Sequence, residues 1–173
     1  IALMMKGFQH FMAEGLSPKS VHTGAYCKAR QRLPVAMAQA LTRDTGRLLC
    51  AQADNGWRWH GRTVKLVDGT GISMPDTAEN QAEYPQLASQ AAGVGFPLAR
   101  PVAVICFSTD AVVDAAMGPF EGKGNSELGL MRQLLGTFHA GEVVLADAVF
   151  CTYWVIAMLQ LAGVDVVFEQ HGS

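Results

Sequence analysis

Val64-Lys-Leu-Val-Asp68-Gly-Thr70, together with Val143-Val-Leu-Ala-Asp147, decides how this chain folds. Each is a short apolar run that ends in an acid. Such a run reads as a strand buried on both faces, and an acid at its tip can send a carboxylate into the crevice beyond the sheet. Two such acids on neighbouring strands could hold Mg²⁺, because two-metal phosphoryl transfer needs carboxylates converging on ions about 3.5–4 Å apart. Each acid also has a plainer reading. Asp68-Gly69 is a favoured turn dipeptide directly after a strand, and Asp147 stands between a strand and a helix, where an N-capping residue belongs.

Working outward, Trp57 to Gly61 and Thr63 to Val67 predict strand entering strand, with turns at Asn55-Gly56 and His60-Gly61. Residues 69–100 are a Gly, Pro, Gln and Ala-rich connection with one helical turn after Asp76-Thr77. Pro101 to Ser108 and Ala111 to Met117 flank the polar pair Thr109-Asp110 as a hairpin. After a turn at Gly122 to Asn125, Leu128, Leu130, Met131, Leu134, Leu135 and Phe138 recur at helical spacing, which predicts a helix from Ser126 to near His139. Glu142 to Ala146 is the next strand, Cys151 to Ala162 a helix stopped by Gly163, and Val164 to Phe168 a strand. That strand-helix-strand unit should be right-handed and parallel. The Cys151 to Ala162 helix is apolar nearly all round and should be buried on more than one side.

The stretch from residue 3 to about residue 53 has helical periodicity broken by turn signals, with Ser17-Pro18 as a helix start. Lys19, Lys28, Arg30, Arg32, Arg43 and Arg47, with Lys6 seven of the chain's thirteen Lys and Arg, fall here. They could contact phosphate backbones or form a solvated helical face. The expected organisation is a helical DNA-contacting segment over residues 1–56 followed by an α/β core over residues 57–173.

Half of the 173 residues are hydrophobic, ample for a packed core, and the net charge of −2 gives no overall basic field. Cys27, Cys50, Cys106 and Cys151 lack metal-ligand or disulfide-framework spacing and read as isolated thiols. His10, His22, His60, His139 and His171 are equally scattered. The apolar start Ile1 to Lys6 lacks the marks of a signal peptide, and the longest apolar stretch, Phe150 to Ala162, is too short to span a bilayer, so a cytoplasmic protein is expected. The other acids point elsewhere: Asp76 to a cap, Asp110 to a turn, Asp114 to a solvent-facing strand position, and Glu121 and Glu127 to a helix N-terminus. Glu169 follows the last strand and is the remaining third-ligand candidate.

The blocks Val64-Lys-Leu-Val-Asp68-Gly-Thr-Gly-Ile-Ser-Met-Pro-Asp76-Thr, Gly122-Lys-Gly-Asn-Ser-Glu127 and Val144-Leu-Ala-Asp147-Ala-Val-Phe150-Cys-Thr-Tyr-Trp154, followed by Gly163-Val-Asp-Val-Val-Phe168, resemble the DDE transposases of bacterial insertion sequences, nearest the IS-four family. The resemblance runs from about residue 15 to the end. It implies an RNase H-like catalytic core, a mixed sheet with flanking helices, that binds two Mg²⁺ (or Mn²⁺) ions. By the same resemblance Asp68 and Asp147 are the first two catalytic and metal-binding acids. Water would attack a phosphodiester at the ends of a mobile element, and the freed 3′-hydroxyl would attack target DNA. The implied partners are double-stranded DNA and a second copy of the chain in a homodimer, within the bacterial nucleoid.

Three departures accompany the resemblance. The family's third acid, a glutamate on a later helix, falls beyond Ser173. Ala148 stands where the family usually has Arg, and Glu169 where it has a basic residue, which should weaken the hold on DNA phosphates. The expectation is an incomplete core, inactive by itself. The alternatives are a non-catalytic remnant that binds DNA or another transposase, and an unrelated RNase H-like nuclease.

Overall fold

The structure, a computed structural model, describes residues 24–170. The Ser17-Pro18 helix start, Lys19, the apolar opening, His10, His22 and His171 lie outside the described residues. The chain divides into two compact units, Ile1–Met37 and Ala38–Ser173. The division falls inside a helix, within the segment grouped from sequence as residues 1–56.

In the first unit, α1 (Gly24–Gln31) carries Lys28 and Arg30 in its last turn. Helix α2 (Val35–Ala51) runs mainly through the second unit, where Gly46 is its one buried residue. The second unit is built on strands β1 (Val64–Gly69), β2 (Ile72–Ser73), β3 (Leu98–Cys106), β4 (Ala111–Pro119), β5 (Val143–Ala146) and β6 (Asp165–Phe168). They form one mixed sheet. β3 pairs antiparallel with β4 on one edge and with β1 on the other, and β2 prolongs β1 along the same edge of β3. On the far side of β1, β5 and then β6 pair parallel. The connections from β4 to β5 and from β5 to β6 hold helices α4 (Glu127–Leu134) and α5 (Tyr153–Leu161), the crossovers that parallel pairing requires. A shorter helix, α3 (Ala78–Glu83), interrupts the connection between β2 and β3.

Alternation along the strands sorts the side chains. Val67, Val102, Val104, Cys106, Val144 and Ala146 point to one face and are buried beneath Leu130, Met131 and Leu134 of α4 and Val155 and Leu159 of α5. The opposite face, with Leu66, Ala103, Ile105 and Leu145, is only half-buried. α4 begins at Ser126, whose hydroxyl accepts from the Gly129 N–H, and its last turn tightens into a 3₁₀ segment at Leu135–Thr137, so the helix is shorter than its apolar spacing predicted.

Three further expectations change. Trp57 to Gly61 is not a strand: Asn55–Trp57 is a 3₁₀ turn capped by Asp54, and only an isolated bridge joins Trp59 to Arg62. The turn at His60-Gly61 does form, with positive φ of 50° and 77°, the pattern that favours a tight reversal. Helix α5 buries only Val155 and Leu159, while Tyr153 and Leu161 remain 90% and 83% exposed. Its apolar composition predicts burial, but the sheet covers one side of it. Asp114 does not face solvent. A bulge where β3 meets β4 at Val104/Ile105 breaks the alternation, and Asp114 accepts from Arg43 Nε at 2.8 Å and from Thr137 Oγ1 at 2.9 Å. Arg43 is therefore held by the sheet. No helix among the described residues is long and apolar enough to cross a membrane.

Candidate functional site

The β1–β5 register ends at Val67 opposite Ala146. One residue further along both strands stand Asp68 and Asp147. Each acid directly follows a paired residue, so the two stand at the C-terminal ends of adjacent parallel strands, which are about 4.8 Å apart. Both are exposed, and Asp68, opposite Ala103, is on the half-buried face away from α4 and α5. The remoteness of the two residues in sequence is thus removed by the parallel pairing of β5 with β1.

The register extends to a third acid. Ala146 pairs with Phe168, and the Glu169 N–H donates to the Ala146 carbonyl at 3.2 Å. Glu169 therefore directly follows the end of β6, the strand beyond the one that carries Asp147. A terminal position is a poor sequence signal for such a role; the pairing of β6 with β5 supplies what sequence lacks.

The acids also do local work. Asp68 Oδ1 accepts from the Gly69 N–H at 2.8 Å, and Asp147 Oδ1 accepts from the Val149 N–H at 3.0 Å, capping the 3₁₀ turn Ala148–Phe150. The turn precedes α5, whose own cap is Thr152 rather than Asp147. The second carboxylate oxygen of each acid has no hydrogen-bond partner among the described residues. Behind Asp68, the Glu127 side chain passes so close to Gly69 that a Cβ there would stand 2.7 Å from its Cγ and Cδ. Glycine at position 69 lets the N-terminus of α4 approach the end of β1.

The donor set suits a hard cation. Mg²⁺ is commonly held through one or two carboxylates, with waters and substrate phosphates completing its shell. Among the described residues no three His, Cys, Asp or Glu side chains gather into a group able to hold a metal by themselves.

The remaining acids are accounted for locally. Asp76 accepts from Gln81 Nε2 while Thr77 caps α3. Glu121 accepts from the Ala88 N–H at 2.9 Å, tying the long connection to the end of β4 rather than serving a helix end. Sequence reasoning missed Lys65. It is 3% exposed, on the same strand as Asp68, and its Nζ meets Glu142 Oε2 and the Thr137 carbonyl, both at 2.7 Å. A lysine inside an apolar run looks like a strand-edge residue until its partner is known.

No family model matches the chain. Over 140 residues, 80% of its length, it is 26% identical to InsZ of Escherichia coli (strain K12), a protein that carries a transposase name. A solved structure described as the Mos1 transposase paired-end complex with left transposon end aligns to 94% of this chain and 49% of that one, at 11% identity and a TM-score of 0.37. The chain spans just under half the length of InsZ, 46%.

Proposed function

We propose that this chain is part of a DNA transposase, with an RNase H-like core of the DDE type and Asp68 and Asp147 as two of its metal-binding catalytic acids. The observation that carries the proposal is the register of β1 and β5, which supports two carboxylates at the ends of adjacent parallel strands. The mixed sheet, antiparallel through β4, β3 and β1 and parallel through β5 and β6, supports the RNase H-like reading. The similarity to InsZ supports the transposase reading, and double-stranded DNA is the implied substrate.

Mg²⁺ or Mn²⁺ bound by Asp68 and Asp147 would supply Lewis-acid activation of the attacking oxygen and stabilise the leaving oxygen. The chain's own part is to hold the carboxylates. Gly69 and Val149 N–H groups hold one oxygen of each acid, and the other has no hydrogen-bond partner among the described residues. The half-buried sheet face gives Asp68 a partly apolar floor, where a carboxylate attracts a cation more strongly than in open water. Two carboxylates seldom complete such a site, so these 173 residues alone should not cleave DNA.

The test is thermal unfolding with and without Mg²⁺ or Mn²⁺, run beside a nicking assay on labelled insertion-end DNA. Metal should raise the unfolding temperature, and both Asp68→Ala and Asp147→Ala should abolish the rise. Metal-independent unfolding of the parent chain would overturn the metal site, and strong nicking by the chain alone would overturn its inactivity. The engagement of both acids with local N–H groups favours a second reading, a non-catalytic remnant that binds DNA. It predicts DNA affinity unchanged in either alanine variant and unfolding that does not respond to metal.

A further inference from the structure

A cavity of about 250 Å³ opens at the other end of β1, lined by Arg47, Cys50, Arg58, Lys65, His139 and Glu142 among others. All belong to the second compact unit. Lys65 precedes Asp68 by three residues, about 10 Å along the strand, and alternation turns its side chain to the opposite face. This cavity is therefore separate from the row of acids, and its interpretation does not depend on theirs.

The charges leave a clear excess. Lys65 is neutralised by Glu142, whose Oε2 also accepts from the His139 N–H at 2.8 Å. Two guanidinium groups remain. Arg58 uses Nη1 on Thr63 Oγ1 at 3.0 Å and Nη2 on the Cys50 carbonyl at 3.4 Å, at the C-terminal end of α2. Its Nε, however, is buried and has no hydrogen-bond partner. A buried, charged N–H without an acceptor is costly, and native proteins seldom leave one. Arg47, from the same helix, is exposed and makes no ion pair or side-chain hydrogen bond among the described residues. An acceptor entering the cavity would meet the Arg47 guanidinium, the Arg58 side chain and the hydroxyl-bearing wall formed by Thr63 and Thr137.

We propose that this cavity binds a phosphate group. Arginine pairs recognise phosphate oxygens through forked, charge-assisted hydrogen bonds, and a tetrahedral oxyanion offers enough acceptors to satisfy both guanidinium groups at once. A cavity of this volume holds several waters' worth of space, enough for a phosphate and the start of whatever carries it. The group can come from free phosphate or from a nucleic-acid backbone.

Titrating the intact chain with inorganic phosphate, followed by calorimetry, tests the proposal, and a fluorescent duplex of arbitrary sequence identifies the source. Saturable phosphate binding is expected, weakened about tenfold or more by Arg58→Gln, which removes one of the two guanidinium charges lining the cavity. Arg58 also holds the end of α2, so Arg47→Gln, at an exposed position, is the variant that keeps the fold; it should weaken phosphate several-fold. If the ligand is backbone phosphate, Arg47→Gln also lowers duplex affinity and reduces its salt slope by about one. If it is free phosphate, duplex affinity stays unchanged while phosphate binding falls. Absence of saturable phosphate binding, or binding that Arg47→Gln leaves intact, overturns the proposal.

Discussion

Gly46→Ala should destabilise the second unit even though alanine is the better helix former. Gly46 is buried in α2 and rests on the bulged stretch of β4. A Cβ added there would lie 2.2 Å from the Val112 carbonyl oxygen and 2.8 Å from Val113 Cα. Ordinary contact lies about 1 Å or more further out. The obstacles are backbone atoms of a strand paired along its length with β3, so no side chain can swing aside; helix or strand must move. Overpacking of this kind costs about 1–3 kcal/mol, here toward the upper end. Replacing glycine in a helix interior returns about 1 kcal/mol. Moving the helix also stretches the Arg43–Asp114 pair, 2.8 Å apart and one turn away, which at 41% exposure of the arginine adds about 0.5 kcal/mol. The net loss is about 2 kcal/mol. With a urea slope of about 1–3 kcal/mol/M, the unfolding midpoint should fall by about 1 M. Gly136→Ala is the control, because nothing lies within 4 Å of a Cβ there. A midpoint for Gly46→Ala at or above that of the parent chain, with Gly136→Ala unchanged, would refute the close approach of α2 to β4.

Three other outcomes are expected. Lys65→Met leaves Glu142, 15% exposed, without its cation, and should cost about 3–5 kcal/mol in urea unfolding; the double variant Lys65→Met/Glu142→Gln should recover most of it. Burial and the neighbouring Cys106 thiol push the Cys50 thiol from 9.0 up to about 12, so iodoacetamide at pH 8 should modify exposed Cys27 well before Cys50. Glu169→Arg replaces a negative charge beside the acid row with a positive one and should raise duplex affinity with a steeper salt dependence; unchanged binding would remove this end of the sheet from the DNA-contacting surface.

Which parts of this molecule could be read from residues alone follows from the range of the forces involved. The apolar runs at Val64 to Val67 and Val143 to Ala146, the hairpin about Thr109-Asp110 and the α4 spacing are local patterns, and each element starts where its pattern lies, although α4 stops at Leu134, short of the end of its spacing. Trp57 to Gly61 misled because aromatic residues favour strands only when another strand accepts them, and this segment finds only the bridge to Arg62. Asp114 misled for a related reason: alternation assigns faces only while the register is unbroken, and the bulge breaks it. At the acid row the sequence supplies side chains and pairing supplies coincidence. Asp68, Asp147 and Glu169 are separated by 79 and 22 positions, yet two parallel registers bring the ends of their strands next to one another. The phosphate cavity was least visible, since Arg47, Arg58, Lys65 and Glu142 share no motif. They meet because Gly46 permits α2 to lie on β4 and because Lys65 must find Glu142 to be buried at all. Sites made by packing alone leave no spacing to read, and are found by asking which buried polar atom still lacks a partner.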